Sequence, residues 1–191
     1  GAIVTTSLIR GNGDEKLNRL LEILRKITNN ENINYSKEVY QSEKTTGDRN
    51  RAIAFLLKSK GLIDGEIEEV LDTYFKQCSI EVDCQDIAKI GIFLANKGRV
   101  LDTGEKLVDN RTISTLMAIM TTCGMYDFSG EYAIKVGIPS KSGVSGGILA
   151  SVPNKYGIGV YGPALDKHGN SVAGYGILKD LSQELELSIF V

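Results

Sequence analysis

From Asp14 to Thr28 the apolar residues Leu17, Leu20, Leu21, Leu24 and Ile27 recur at steps of three and four, with charged residues between them. That spacing lines one face of a helix, which Asn29-Asn30 ends. Upstream, Gly1 to Ile9 is apolar and rich in hydroxyls, a pattern compatible with a buried helix start or a strand, and Gly11-Asn12-Gly13 breaks it. The helical period then returns. Ala52, Ile53, Leu56 and Leu57 form a stripe that begins behind Asp48, placed as an N-cap, and stops at Gly61. Asp64 opens a segment in which Ile67, Val70, Leu71, Tyr74, Phe75 and Cys78 keep step. Asp83 opens another, with Ile87, Ile90 and Leu94 inward and Gly98 closing it. Ile113, Leu116, Met117 and Met120 mark a further helix. Between these stripes, residues 32–47 are polar and read as a loop with room for a short helix. Residues 99–110 read as a loop with a short hairpin around Asp102-Thr103-Gly104.

After Gly124 the period shortens from about 3.6 residues to 2. Ala133 to Ile138 is expected to be a strand that stops at Pro139. Ile148–Val152 and Ile158–Tyr161, joined through Asn154-Lys155-Tyr156-Gly157, are expected to form a hairpin. Asn170-Ser171 is a cap for a last helix traced by Val172, Ile177, Leu178, Leu181 and Leu185. Helices first, then a short antiparallel sheet closed by a helix, predict an α+β fold. Gly157-Ile158-Gly159-Val160-Tyr161-Gly162 has the spacing of a dinucleotide fingerprint, but it lies inside a hairpin arm and runs into Pro163. That fingerprint must open a helix, so we reject it as a nucleotide site.

Composition removes several classes. The chain has 191 residues, 42% hydrophobic and 24% charged, a size for one domain or two lobes sharing a core. A net charge of -2 offers nothing to attract nucleic acid or an anionic membrane surface. No apolar run approaches the roughly 20 residues that span a bilayer, and no secretory signal opens the chain. Cys78, Cys84 and Cys123 cannot all pair within one chain and fit no zinc module, so free thiols in a reducing cytoplasm are expected. The single histidine, His168, sits in a turn-like Asp166-Lys167-His168-Gly169-Asn170 stretch and is expected to be structural or solvated. No metal-ligand spacing appears, so no metal and no cofactor are expected. The chain opens on Gly1-Ala2-Ile3-Val4, already apolar and without methionine, which reads as the middle of a longer protein.

Candidate chemistry concentrates in Lys141-Ser142-Gly143-Val144-Ser145-Gly146-Gly147-Ile148. Glycine lets backbone N–H groups approach a ligand closely, and lysine and serine add charge and hydroxyls. Such a stretch suits a carboxylate or a developing oxyanion. It is equally a glycine-rich turn into a strand. Its Lys-Ser-Gly start resembles the Lys-Thr-Gly triplet of serine β-lactamases and penicillin-binding proteins.

Several segments together carry a broader resemblance. They are Gln41-Ser42-Glu43 with Gly47-Asp48-Arg49-Asn50, Tyr74-Phe75 with Cys78-Ser79-Ile80-Glu81-Val82, and Thr122-Cys123-Gly124-Met125-Tyr126-Asp127 with Ser129-Gly130. Ser140 through Gly147 and Leu165-Asp166 with Gly169-Asn170-Ser171-Val172 complete the set. Collinear from Gly1 nearly to the C-terminus, the chain resembles the serine-dependent glutaminases of the β-lactamase/transpeptidase-like superfamily. The resemblance implies cofactor-free hydrolysis of L-glutamine to L-glutamate and ammonia through a serine acyl-enzyme. It implies a helical lobe, about residues 8–125, packed against an antiparallel sheet with flanking helices, about residues 131–188 with the C-terminal helix, all within one partial domain over 1–191. The family's Ser-x-x-Lys tetrad does not occur in these residues. The chain is therefore expected to be a C-terminal portion, inactive alone, lacking the nucleophile and the first strands of the sheet, which would leave a sheet edge exposed or completed by something else.

Site roles are implied residue by residue. Glu43 and Asn50 match positions that contact the amino-acid end of glutamine, as a carboxylate suits an ammonium and an amide can donate to a carboxylate. On spacing alone both are ordinary polar helix-entry residues, and Tyr74 falls on an apolar stripe. The resemblance turns the Tyr74 hydroxyl toward the pocket. Tyr126 matches the residue beside the nucleophile and is the candidate for proton transfer, with the upstream lysine as the cation that would stabilise its tyrosinate. Val144 contributes its backbone N–H to the oxyanion hole. Lys141 and Ser142 have supporting roles. The family further implies a homodimer or homotetramer. Two alternatives stand beside this reading: another serine β-lactamase-like amidohydrolase, and a non-catalytic glutamate- or glutamine-binding fragment.

Overall fold

The structure, a computed structural model, describes residues 1–190. Helices fill the first two thirds in chain order: α1 (Ala2–Ser7), α2 (Gly13–Thr28), α3 (Lys37–Thr46), α4 (Asp48–Ser59), α5 (Ile67–Cys78), α6 (Cys84–Ala95) and α7 (Asn110–Cys123). A 3-10 turn (Tyr126–Phe128), α8 (Ser129–Lys135), strands β1 (Ser140–Ser142), β2 (Gly147–Val152) and β3 (Tyr156–Tyr161), and α9 (Val172–Glu184) follow. The architecture is α+β, as expected. The chain forms two compact units, Gly1–Lys26 with Asn30–Glu81, and Ile27–Asn29 with Val82–Val191.

The first unit is helical. Its core joins Ile3, Ala54, Ile63, Ile67, Val70, Leu71 and Phe75, and a second cluster gathers Leu17, Leu21 and Ile33. The helix for which the polar 32–47 stretch has room is α3, and it fills most of the stretch. Ser36 caps α3 by accepting from the Val39 N–H, yet α3 buries none of its residues, which is why no apolar stripe announces it. In α4 the stripe is shifted from the expected one: Ala54 is fully buried, whereas Ile53, Phe55 and Leu56 are exposed. The α4 N-cap is Gly47, without a side-chain cap; Asp48 is the first helical residue. Helix α5 begins at Ile67 behind Glu66, past the expected Asp64.

In the second unit a three-stranded antiparallel sheet of order β1-β2-β3 has α6 on one face. Met125, Phe128, Tyr132, Val136 and Ile138 pack with Ile148, Ala150, Val160 and Leu178. Asp83 caps α6 in a capping box with Asp86. The glycines of the rejected dinucleotide motif have a packing role. A Cβ on Gly157 would lie 2.0 Å from the Ile92 nitrogen, and one on Gly159 would lie 2.2 Å from the Cys84 carbonyl oxygen, so the α6 backbone rests directly on β3. Because α6 and α7 pack in the sheet-bearing unit, the compact units divide at Glu81–Val82.

The strand expected over Ala133–Ile138 is instead α8 and its exit. Tyr132 and Val136 are buried, four residues apart as on a helix, while Ile134 is 87% exposed. The Val136 and Gly137 N–H groups both donate to the Tyr132 carbonyl, and Gly137 takes φ +67, so the helix ends in a left-handed residue. The first strand falls on Ser140–Ser142. The β2–β3 hairpin forms as expected, with Val152 opposite Tyr156 and Asn154 at φ 59 in the connection. Ser171 caps α9 through the Gly174 N–H.

Candidate active site

The expected ligand residues divide between the units: Glu43, Asn50 and Tyr74 in the first, Tyr126, Lys141, Ser142 and Val144 in the second. In the first unit the junction of α3 and α4 turns on Gly47. A Cβ there would lie 2.5 Å from Phe75 Cζ and 2.7 Å from the Glu43 carbonyl oxygen, so only glycine lets this junction lie against α5. Glu43, on α3, and Asn50, in the first turn of α4, are half-buried. Burial first, then the Cys78 thiol and the charge of Glu43, push the half-buried Tyr74 hydroxyl up to about 12. Glu43 and Tyr74 thus lie within electrostatic reach, while Asn50 makes no hydrogen bond or ion pair with either among the described residues.

Beside them, an ion-pair network ties α3 to α5. Lys44 Nζ lies 2.7 Å from Asp72 Oδ1 and Lys76 Nζ 2.9 Å from Asp72 Oδ2. Lys44 also donates to the Tyr40 hydroxyl at 2.8 Å, and that hydroxyl donates to Asp72. Burial raises the Asp72 carboxyl, but hydrogen bonds from Lys44, Tyr40 and Lys76 outweigh it and hold the group down at about 2. Sequence spacing gave no sign of this cluster, because Lys44 and Asp72 are 28 residues apart.

In the second unit Tyr126, Lys141 and Ser142 come together. Helix α7 ends at Gly124, whose Cβ position would fall 1.8 Å from the Ser140 carbonyl oxygen, and the Gly124 carbonyl accepts from the Ser142 N–H at 2.9 Å. This docks the end of α7 against β1 and delivers Tyr126 beside it. Tyr126 has φ 56, a left-handed backbone unusual for a bulky residue. Ser129 Oγ holds it there, accepting from the Met125 N–H at 3.0 Å and donating to the Tyr126 carbonyl at 2.7 Å. The Tyr126 hydroxyl donates to the Ser142 carbonyl at 3.2 Å, and Lys141 Nζ donates to that same oxygen. The Lys141 ammonium also lies 4.9 Å from the centroid of the Tyr126 ring, within cation–π range.

Burial raises the Tyr126 hydroxyl pKa. Lys141 is an exposed residue overall, yet burial around its ammonium lowers that pKa. The neutral phenol is therefore a hydrogen-bond donor at rest, with a cation at its ring. Among the described residues, the buried Ser142 hydroxyl has no hydrogen-bond partner.

Val144 heads an exposed tight turn in which the Gly146 N–H donates to the Gly143 carbonyl and the Gly143 N–H to the Gly147 carbonyl. The Val144 N–H has no acceptor among the described residues, and the residue is 72% exposed. That is the disposition of a donor available to an oxyanion. Among the described residues no group of three His, Cys, Asp or Glu side chains is placed to hold a metal. Ser129, Gly124, Asp127 and Asn170 also shape this region without having been singled out as site residues. All lie inside the segments that carry the resemblance, so that resemblance was the available signal.

The chain matches the glutaminase family model over residues 1–190. It is 60% identical over 191 residues to a glutaminase of Clostridium tetani (strain Massachusetts / E88) and 61% identical to one of Clostridioides difficile (strain 630), in each case covering 100% of this chain and 62% of the relative. The chain thus spans less than two thirds of the length of these curated relatives. Among solved structures, the covalent complex between the Bacillus subtilis glutaminase YbgJ and 5-oxo-L-norleucine is 42% identical. It superposes with a TM-score of 0.95 over 99% of this chain and 67% of that one. Mglu in its glutamate form is 35% identical, with a TM-score of 0.94 over 98% of this chain and 44% of that one. The helices, the three-stranded sheet and the family match over residues 1–190 place the chain in the glutaminase family, whose β-lactamase-like fold it shares.

Proposed function

We propose that the protein to which this chain belongs hydrolyses L-glutamine to L-glutamate and ammonia through a serine acyl-enzyme. The observation that carries the reading is the Tyr126–Lys141–Ser142 cluster beside the free Val144 N–H, in a chain 42% identical to a glutaminase solved as a covalent complex with 5-oxo-L-norleucine. In this mechanism a serine outside the 191 residues attacks the side-chain amide carbon. The Val144 N–H, with the nucleophile's own N–H, holds the oxyanion. Tyr126 relays the serine proton to the departing ammonia, and water then cleaves the acyl-enzyme through the same hole. Two cations serve the phenol: the lysine of the Ser-x-x-Lys tetrad and Lys141. Glu43 takes the α-ammonium of glutamine, Asn50 its carboxylate, and the Tyr74 hydroxyl completes the substrate's polar contacts.

We further assign the protein to the cytoplasm as a homodimer or homotetramer. Support for the compartment comes from three unpaired thiols, Cys78, Cys84 and Cys123. No helix is long and apolar enough to cross a membrane among the described residues.

The test is ammonia release from L-glutamine by the polypeptide of the whole reading frame and, in parallel, by the 191-residue chain. Release by the former alone is expected. Glutamate binding without release by either would favour a binding module, and turnover of a β-lactam in place of glutamine would favour a related amidohydrolase. In the active form, Tyr126→Phe should lower kcat by roughly 100-fold or more with the fold intact; near-normal turnover would remove Tyr126 from the mechanism.

A further inference from the structure

The lone histidine is tied to the turn that carries Tyr126. His168 Nδ1 lies 2.6 Å from Asp127 Oδ1. Its ring stacks on Phe128, with centroids 5.5 Å apart and planes 26° from parallel. Asp127 and Phe128 are the two residues that follow Tyr126 in its 3-10 turn. The loop bearing His168 is itself closed. The His168 and Asn170 N–H groups both donate to Asp166 Oδ1, at 2.8 and 2.9 Å, and the Asp166 N–H donates to the Asn170 carbonyl at 2.8 Å. Asn170 is fully buried, and its Nδ2 donates to the carbonyl of Met125, the residue before Tyr126, at 3.3 Å. The loop therefore grips the Tyr126 turn on both sides. Between the grips, a Cβ on Gly169 would lie 3.7 Å from Tyr126 Cε2 and 3.9 Å from Val144 Cγ1, so the loop backbone rests against both residues.

An exposed ion pair alone contributes little, and the Asp127 side chain is 76% exposed. His168 differs: its side chain is 22% exposed, ring-stacked and anchored at its backbone. A residue held at φ 56 keeps that backbone only while its neighbours enforce it.

We propose that His168, acting through Asp127 and Phe128, is a positioning residue that holds the Tyr126 phenol in its working place. The proposal rests on the role given to Tyr126 above. His168 itself touches no reacting atom.

The experiment uses the whole protein with His168→Ala and His168→Asn, since asparagine places a side-chain donor where Nδ1 sits. His168→Ala should lower kcat about tenfold, with KM within about twofold, and His168→Asn should recover most of the loss. In a Tyr126→Phe background the same His168→Ala change should alter kcat by less than about twofold, because no phenol remains to be positioned. An equal loss in both backgrounds, or an unchanged kcat in His168→Ala, overturns the proposal.

A second readout does not need turnover. In protein carrying ¹³C-labelled tyrosine, the Tyr126 resonance, assigned by its loss in Tyr126→Phe, should shift in His168→Ala and return in His168→Asn, while the resonances of tyrosines other than Tyr132 and Tyr175, which touch Phe128, hold. If the protein releases no ammonia, the glutaminase reading fails and the spectrum still decides the brace; an unmoved Tyr126 resonance sinks it.

Discussion

Tyr126 shows how one residue can be costly to the fold and useful to the site. A left-handed backbone at a bulky side chain costs on the order of 1–3 kcal/mol, and here Ser129 Oγ, the Ser142 carbonyl and the His168 loop all hold it. Ser142 carries a different cost. Its hydroxyl is buried with no hydrogen-bond partner among the described residues, and such a group penalises folding by about 1–3 kcal/mol. Ser142→Ala should therefore leave the urea unfolding midpoint of the 191-residue chain unchanged or raise it; a clear drop would mean that the hydroxyl is satisfied in solution. At this scale proximity is legible where it is local: Lys141, Ser142 and Val144 stand in one short stretch, and the first two lie against Tyr126. The partnership of His168 with Asp127 was not legible, because 41 residues separate them and neither residue type demands the other.

Helix α6 and strand β3 meet backbone to backbone, and glycine is the reason. Gly157→Ala would set a Cβ against the α6 backbone, which cannot step aside as a flexible side chain can. We expect about 2 kcal/mol of destabilisation, within the usual range for overpacking, measured by chemical denaturation; a loss below about 0.5 kcal/mol would show that α6 lifts freely. The α3–α5 network makes a separate prediction. Asp72 has a folded-state pKa of about 2 against 3.8 for the ordinary carboxyl, so its contribution is fully present above about pH 4 and is lost as pH falls through 2. Asp72→Asn should cost about 1 kcal/mol at neutral pH, a modest figure because Lys44 and Asp72 are partly solvated. The difference from the unaltered protein should shrink as pH falls from 4 toward 2, and a constant difference would exclude the ion-pair account.

Elements with a buried stripe or a clear cap were legible, as α2, α6 and the β2–β3 hairpin show. Helix α3 is legible only as a loop with room for a short helix, because it buries nothing. Helix α8 was read as strand because Ile134, Val136 and Ile138 alternate, although Ile134 points to solvent and the buried pair is Tyr132 and Val136.

At the scale of the molecule, the family resemblance carried more than periodicity did. Patterning alone reaches α+β; the fold family and the candidate ligand residues came from matched segments. The described sheet has three strands, and β3 hydrogen-bonds to β2 alone among the described residues. An open edge of that kind is a pairing surface, and both relatives in the genus Clostridium and its neighbour Clostridioides extend beyond the length matched here.

The most direct test is covalent labelling. The Bacillus subtilis relative forms its complex by reaction with 6-diazo-5-oxo-L-norleucine. The whole protein should be treated with that reagent, and the adduct located by peptide mass spectrometry. We predict one 5-oxo-L-norleucine adduct on the serine of a Ser-x-x-Lys tetrad outside these 191 residues, with excess L-glutamine suppressing its formation. Absence of any adduct, or an adduct on Cys78, Cys84 or Cys123, would contradict the serine acyl-enzyme account.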